Sequence, residues 1–117
     1  MIDLTNLEHI DFSDFLKIGL AIGTIISAEL NPKAKKPAYK LTIDFGDLGI
    51  KISSAQITEN YTTDDLQNKQ IVAVMNFPPK RIAGVKSEVL VLAAVCEEKG
   101  TVLLNPLMIV KNGTRIL

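Results

Sequence analysis

The chain has 117 residues, 47% of them hydrophobic, and its 13 cationic and 13 acidic side chains cancel. That length is one domain, able to bury roughly 65% of its unfolded surface without metals or disulfides. A single cysteine and a single histidine exclude an internal disulfide and a Cys/His metal cluster, and no apolar run is long enough to span a bilayer. Asp3, Glu8 and Asp11 crowd the start, unlike a cleavable signal peptide. The expected compartment is therefore the cytoplasm, with no membrane insertion and no cofactor. Zero net charge by itself argues against a nucleic-acid protein, but distribution matters more than the sum. Lys33, Lys35, Lys36 and Lys40 form one acid-free run, and Lys80, Arg81 and Lys86 form another.

In chain order, residues 1–16 mix apolar and acidic side chains. Asp11 followed by Asp14 suggests an N-cap opening a short helical turn through Phe12, Phe15 and Leu16. Leu4, Leu7, Phe12 and Phe15 are candidate anchors on a core or a neighbouring subunit. Residues 18–30 form a long strand in which Gly19 and Gly23 suggest a bulge or coiling. Residues 31–37, bounded by Pro32 and Pro37, connect it to a clean alternation over 38–45. There Tyr39, Leu41, Ile43 and Phe45 face one side, and Lys40, Thr42 and Asp44 the other. After a turn at 46–49 the chain returns over 50–54. Hydrophobicity places Ile50 and Ile52 inward and Lys51 and Ser53 outward, so that Lys40, Thr42, Lys51 and Ser53 share an exposed face. Thr62 and Asp65 have capping-box spacing for a short helix over 63–68. Strands follow over 70–77 and 88–95, then a polar turn at 97–100 and short strands over 102–104 and 108–110.

The stretch joining the fourth and fifth long strands is the most informative. In Asn76-Phe77-Pro78-Pro79-Lys80-Arg81-Ile82-Ala83-Gly84-Val85-Lys86-Ser87, the prolines cannot donate to a ladder and stiffen the exit, and Gly84 frees the tip. The result is a stiff loop that holds three cations away from a packed body, suited to an anionic or polar ligand. The overall order, three strands, a short helix and two strands, is that of the five-stranded OB-fold Greek-key barrel. Such barrels bind ligands on strands two and three and on the loops joining strands one–two and four–five. Both basic clusters fall in those loops.

Gly23-Thr24-Ile25, Ile43-Asp44-Phe45-Gly46, Ser53-Ser54-Ala55-Gln56-Ile57-Thr58 and above all the run from Asn76 to Leu90 resemble the CsaA family, which is similar to the tRNA-binding domain of methionyl-tRNA synthetases. The likeness covers nearly the whole chain from about Lys17. It implies an all-β OB-fold barrel over 17–95, with an N-terminal extension over 1–16 and a C-terminal strand extension over 96–117, both in dimer contact. It also implies an export-related chaperone that binds unfolded or precursor polypeptides, or alternatively a tRNA-binding module. Carried over residue by residue, the resemblance gives the ligand groove Asn76, Lys80, Arg81, Lys86 and Ser87 as walls, and the exposed face of strands two and three read above gives it Lys40, Lys51 and Ser53 as floor. The resemblance also implies a homodimer, and the surplus of apolar sequence at both ends agrees, with Leu4, Leu7, Phe12 and Phe15 in its interface. Related tRNA-binding domains begin strand one with Asp-x-Arg, where Gly19 and Ala21 stand here. They also follow the groove serine with Gly-Met, where this chain has Val89 and Leu90 after Glu88, a like charge beside any phosphate.

Catalysis is not expected. His9 lies among packing residues, without a partner for acid–base work, and Cys96 beside Glu97 and Glu98 reads as an inert, part-buried thiol. Aromatic side chains make up only 5% of the chain, with no tryptophan, so platforms for stacking single-stranded bases are few.

Overall fold

A computed structural model describes residues 3–117. It opens with a 3-10 turn at Leu4–Asn6 and helix α1, Phe12–Leu16. Asp11 occupies the N-cap of α1 but makes no side-chain capping bond; instead its carbonyl accepts from the Asp14 N–H at 2.9 Å. Residues 3–14 are exposed throughout.

The body is a nearly closed antiparallel barrel of the OB type. Its strands are β1 (Leu20–Leu30), β2 (Tyr39–Asp44), β3 (Ile50–Ala55), β4 (Gln70–Val74) and β7 (Leu90–Val91), with α2 (Thr63–Leu66) between β3 and β4. The strand order is β3-β2-β1-β4-β7. β1 is long because it serves two partners. Leu20–Thr24 pairs with β4 and Thr24–Leu30 with β2, and the register slips between Ile25 and Ser27. The bulge is thus at Ile26, not at Gly19 or Gly23. Gly23 has a different task, since a Cβ there would lie 2.6 Å from two ring carbons of Phe45 and 2.7 Å from Ile43. The missing side chain lets Phe45, fully buried, cross the strand.

Phe45 joins Ile25, Leu41, Ile43, Ile71 and Ala73 in the core, and Leu66 of α2 packs against it. The α2 capping box forms as its spacing predicts, with Thr62 accepting from the Asp65 N–H and Asp65 from the Thr62 N–H. The Thr62 N–H, and after it the Thr62 hydroxyl, hold the Asp65 carboxyl below its ordinary pKa.

The register of β3 departs from expectation. Asp44 pairs with Ile50, Ile43 with Lys51, and Leu41 with Ser53. Directly opposed residues share a face, so Lys51 and Ser53 lie on the inward side with Ile43 and Leu41. Ser53 is 1% exposed. Ile50, 59% exposed, and Ile52 lie on the outer side with Lys40 and Thr42. The connection over 45–49, closed by the Phe45 N–H donating to the Gly49 carbonyl (3.0 Å), sets this phase against the hydrophobic pattern, and one residue of slip reverses every side chain.

Three segments after β4 also differ. The stiff loop is a hairpin, β5 (Lys80–Ile82) with β6 (Val85–Ser87). The strand expected over 88–95 breaks after β7, and Ala93–Cys96 becomes β8, paired with β9 (Gly100–Leu103). β8 leaves the core, so Cys96 is exposed rather than part-buried. Residues 108–110 are not a strand; instead Gln70 grips Val110, donating to its carbonyl (2.7 Å) and accepting from its N–H (3.1 Å). The end of the chain returns to β1, where the Gly113 N–H reaches the Ile22 carbonyl (2.7 Å) and the Ile116 N–H the Leu20 carbonyl (3.0 Å). No helix among the described residues is long and apolar enough to cross a membrane.

Candidate functional site

The two basic clusters meet. The β5–β6 hairpin turns through Ala83 and Gly84, with φ of 47° and 83°. Positive φ at both central residues is the signature of the type I′ turn, which matches the twist of the flanking strands. Asn31, in the β1–β2 connection, donates from Nδ2 to the Ala83 carbonyl at 3.2 Å. Lys33 lies over the tip, its Cδ 3.5 Å from where a Gly84 Cβ would stand. Cations from two loops far apart in sequence therefore surround one region.

The hairpin divides that region. On one side Lys40, Arg81 and Lys86 line a cleft of about 380 Å³ with Ile52 and Glu88. On another, Lys80 and Ser87 stand at a mainly apolar cleft of about 220 Å³ with Phe77, Pro78, Ile82, Val89 and Leu90. A third, of about 540 Å³, runs between Lys33, Lys35 and Lys36 and the residues Ser54, Gln56, Ile82 and Ala83. The only ion pair among the described residues is Lys17–Asp14, so these cations have no carboxylate holding them.

Three expected groove residues are placed differently, and a fourth, Ser87, lines a cleft while its hydroxyl is engaged in the barrel. Ser53 is inside the barrel, Lys51 is on the opposite sheet face from Lys40, and neither belongs to a floor shared with it. Ser54 and Ile52 take that side instead. Asn76 is committed elsewhere: Oδ1 accepts from the Gly19 N–H (2.8 Å) and Nδ2 donates to the Lys17 carbonyl (2.7 Å), bridging the start of β1 as a backbone strand would. Ser87 and Glu88 close the barrel. The Ser54 N–H donates to Ser87 Oγ (3.0 Å) and the Ile52 N–H to Glu88 Oε1 (3.1 Å), while the Glu88 N–H donates to the Ile52 carbonyl (2.8 Å). Here two side chains stand in for a ladder between β3 and the end of β6 with the residue that follows it. The Glu88 carboxylate is thus a seam component and not simply a charge placed against phosphate.

The family described as "Putative tRNA binding domain" matches residues 20–115. The chain belongs to that family. In this tRNA-binding-domain family it is 40% identical over 109 residues to the methionine–tRNA ligase of Archaeoglobus fulgidus, covering 93% of this chain and 16% of the ligase. The chain therefore spans about a sixth of that relative's length. Among solved structures it is similar to the chaperone CsaA of Bacillus anthracis, with 55% identity and a TM-score of 0.88, over 94% of this chain and all of that one. It is also similar to the CsaA chaperone protein of Picrophilus torridus, with 50% identity and a TM-score of 0.87, over 93% of this chain and all of that one.

Within this family fold, sequence reasoning missed Asn31, Ile52 and Ser54. Counting pairs outward from the 45–49 turn would have found the latter two. Asn31 carried a weaker signal, an Asn-Pro step at the head of the lysine run.

Proposed function

We propose that this chain is a CsaA-type chaperone that holds extended segments of unfolded or precursor polypeptide against the cationic face around the β5–β6 hairpin, in support of protein export. The observation that carries the reading is the adjacency of two chemistries. Lys40, Arg81 and Lys86 line one cleft, while Phe77, Pro78, Ile82, Val89 and Leu90 line the next, across a three-residue strand. A polyanion uses the first but gains little from the second, whereas a polypeptide with acidic and apolar side chains uses both. Phe77 and Leu90, each about half exposed, supply apolar contact that phosphates do not need.

Structured RNA, tRNA in particular, is the second reading. It is favoured by the convergence of unpaired cations from two loops and by the engagement of Glu88 with the Ile52 N–H.

The functional unit in this proposal is a homodimer. Leu4, Leu7 and Phe12 are exposed and Phe15 is partly so, and Leu107, Met108 and Ile109 stand almost wholly in solvent. A stable interface needs on the order of 1,200 Å² of buried surface in total, and these two segments supply apolar area for it.

The test is the triple substitution Lys80→Ala, Arg81→Ala and Lys86→Ala, assayed with a fluorescent unfolded precursor polypeptide and with unfractionated tRNA. Folding should survive, because exposed cations add little stability. Polypeptide binding should weaken and show a shallow salt dependence. A steep dependence for tRNA, flattened by roughly 0.9 in log–log slope for each duplex phosphate that is no longer neutralised, would favour the second reading. Unchanged affinity for both probes would place the site elsewhere.

A further inference from the structure

One buried side chain joins the two cationic loops. Asn31 is 8% exposed and its backbone and side-chain amide groups are engaged. Its N–H donates to the Ala38 carbonyl (2.9 Å) and its carbonyl accepts from the Ala34 N–H (3.3 Å), which shapes the β1–β2 connection. Its Oδ1 accepts from the Lys33 N–H (3.1 Å), aligning the first lysine of the run. That leaves Nδ2 for the Ala83 carbonyl, 52 residues away, at the tip of the hairpin.

The hairpin needs such a grip. Its strands are three residues each, and a two-stranded hairpin is marginal by itself in water. Arg81 and Lys86 are directly opposed, a like-charge pair that works against pairing. Ala83 holds φ at 47°, in the left-handed region that alanine seldom adopts. Arg81 helps slightly, donating from Nη1 to the Gly84 carbonyl at 3.3 Å. The other ties lie at the far end, where Ser87 meets Ser54. At the tip, Asn31 is the side chain that ties the turn to the barrel.

We propose that Asn31 is a positioning residue that makes the lysine run and the β5–β6 hairpin a single pre-organised binding surface. Ligand affinity then depends on its amide although the amide, already engaged and buried, does not touch the ligand. The inference rests on the cationic face being the binding surface. Its physical basis is that ordering a loop at the moment of binding subtracts from affinity, whereas a loop ordered beforehand does not.

The test compares Asn31→Ala and Asn31→Asp with the wild-type chain, and adds Ala83→Asn in the Asn31→Ala background. Asn31→Asp retains the acceptor for Lys33 and loses the donor to Ala83. Ala83→Asn introduces a residue that tolerates positive φ, stabilising the turn from within. Amide hydrogen exchange without ligand should quicken over residues 80–87 in both single variants and stay unchanged over 71–74. Binding of the fluorescent precursor polypeptide and of unfractionated tRNA, each measured against the wild type, should weaken about 3- to 10-fold for whichever probe the wild type binds. Ala83→Asn should restore part of both the protection and the affinity, a recovery that a residue touching ligand would not show.

Faster exchange with unchanged affinity would overturn the proposal, as would weakened binding without altered exchange or without rescue. A wild-type chain that binds neither probe would instead overturn the reading of the cationic face, and the binding role of Asn31 with it. The exchange data would still report whether Asn31 holds the tip.

Discussion

Replacing Glu88 separates two roles that the sequence merges. As a bare charge beside a cationic cleft it should matter only to ligands; as an acceptor in the barrel seam it should matter to stability. Glu88→Ala removes the partner of the Ile52 N–H, a bond of 3.1 Å to a carboxylate in a half-buried setting, and leaves the Glu88 N–H to Ile52 carbonyl bond in place. A hydrogen bond to a charged group contributes about 1.5–3 kcal/mol. Because water can reach part of this seam, the expected loss is about 1–2 kcal/mol. With roughly 3–6 °C per kcal/mol for a chain of this size, the melting temperature should fall by about 3–12 °C. Glu88→Gln keeps an acceptor in the same place and should lose less than half as much. Removing the negative charge beside Lys40, Arg81 and Lys86 should also tighten tRNA binding about 2- to 5-fold at low salt. Calorimetry of the two variants, with tRNA titrations at two salt concentrations, reads both effects. An alanine variant that melts with the wild type, or a glutamine variant that falls as far as the alanine one, would refute the seam argument.

Other substitutions test neighbouring parts of the structure. Gly23→Ala forces a methyl into the Phe45 ring and Ile43, all in the packed core; it should cost about 1–3 kcal/mol or more, read by denaturant unfolding, and a neutral result would mean that Phe45 moves aside freely. Asp65 has a lowered folded pKa because it accepts from Thr62, so its contribution is full above the ordinary carboxylate pKa and lost as pH falls through the lowered value. Asp65→Asn should therefore reduce stability near neutrality while making the acid limb of a stability–pH profile less steep. Met108→Lys together with Ile109→Lys should turn the proposed homodimer into monomer in sedimentation experiments at micromolar concentration while the barrel still folds, since both side chains are exposed in the single chain.

Much of the barrel is legible in the sequence because period-two alternation and burial agree. In β2, Tyr39, Leu41 and Ile43 point inward as their spacing requires, and the capping box of α2 sits at its expected residues. β3 defeats the same reasoning because its hydrophobicity and its register conflict. Ile50 and Ile52 look inward by composition, yet the five-residue connection after Asp44 obliges them to share a face with Asp44 and Thr42. No periodicity in the strand alone carries that information, because the phase is set by the turn. The β5–β6 hairpin is hidden for a related reason: Pro78 and Pro79 end one strand so firmly that the three residues before Ala83 read as loop. Asn76 and Ser87 stand out in the sequence as special residues, but the partners of their polar groups do not. Only the fold shows that Gly19 and Ser54 present backbone N–H groups to them.

Several local conflicts in this chain fall in one region. Arg81 opposes Lys86, Ala83 takes a left-handed backbone, Ile52 of β3 lies on the cleft-facing side of the sheet with Lys40 of β2, and Phe77 and Leu90 leave large apolar surfaces in water. Each runs against what stability alone would select, and all lie within the region bounded by the β1–β2 connection, the outer side of β2 and β3, and the hairpin. A small domain tolerates several local violations in one place only if the surrounding structure overdetermines them, and here that support is identifiable: Asn31 at the tip, Ser87 and Glu88 along the seam, and Asn76 behind the two prolines. Opposed cations beside uncovered apolar side chains also lower their free energy together when a ligand supplies acidic and apolar groups at once. A folded RNA, with most of its bases stacked inside its own helices, offers chiefly the acidic part of that match, so the proposed polypeptide reading uses more of this surface.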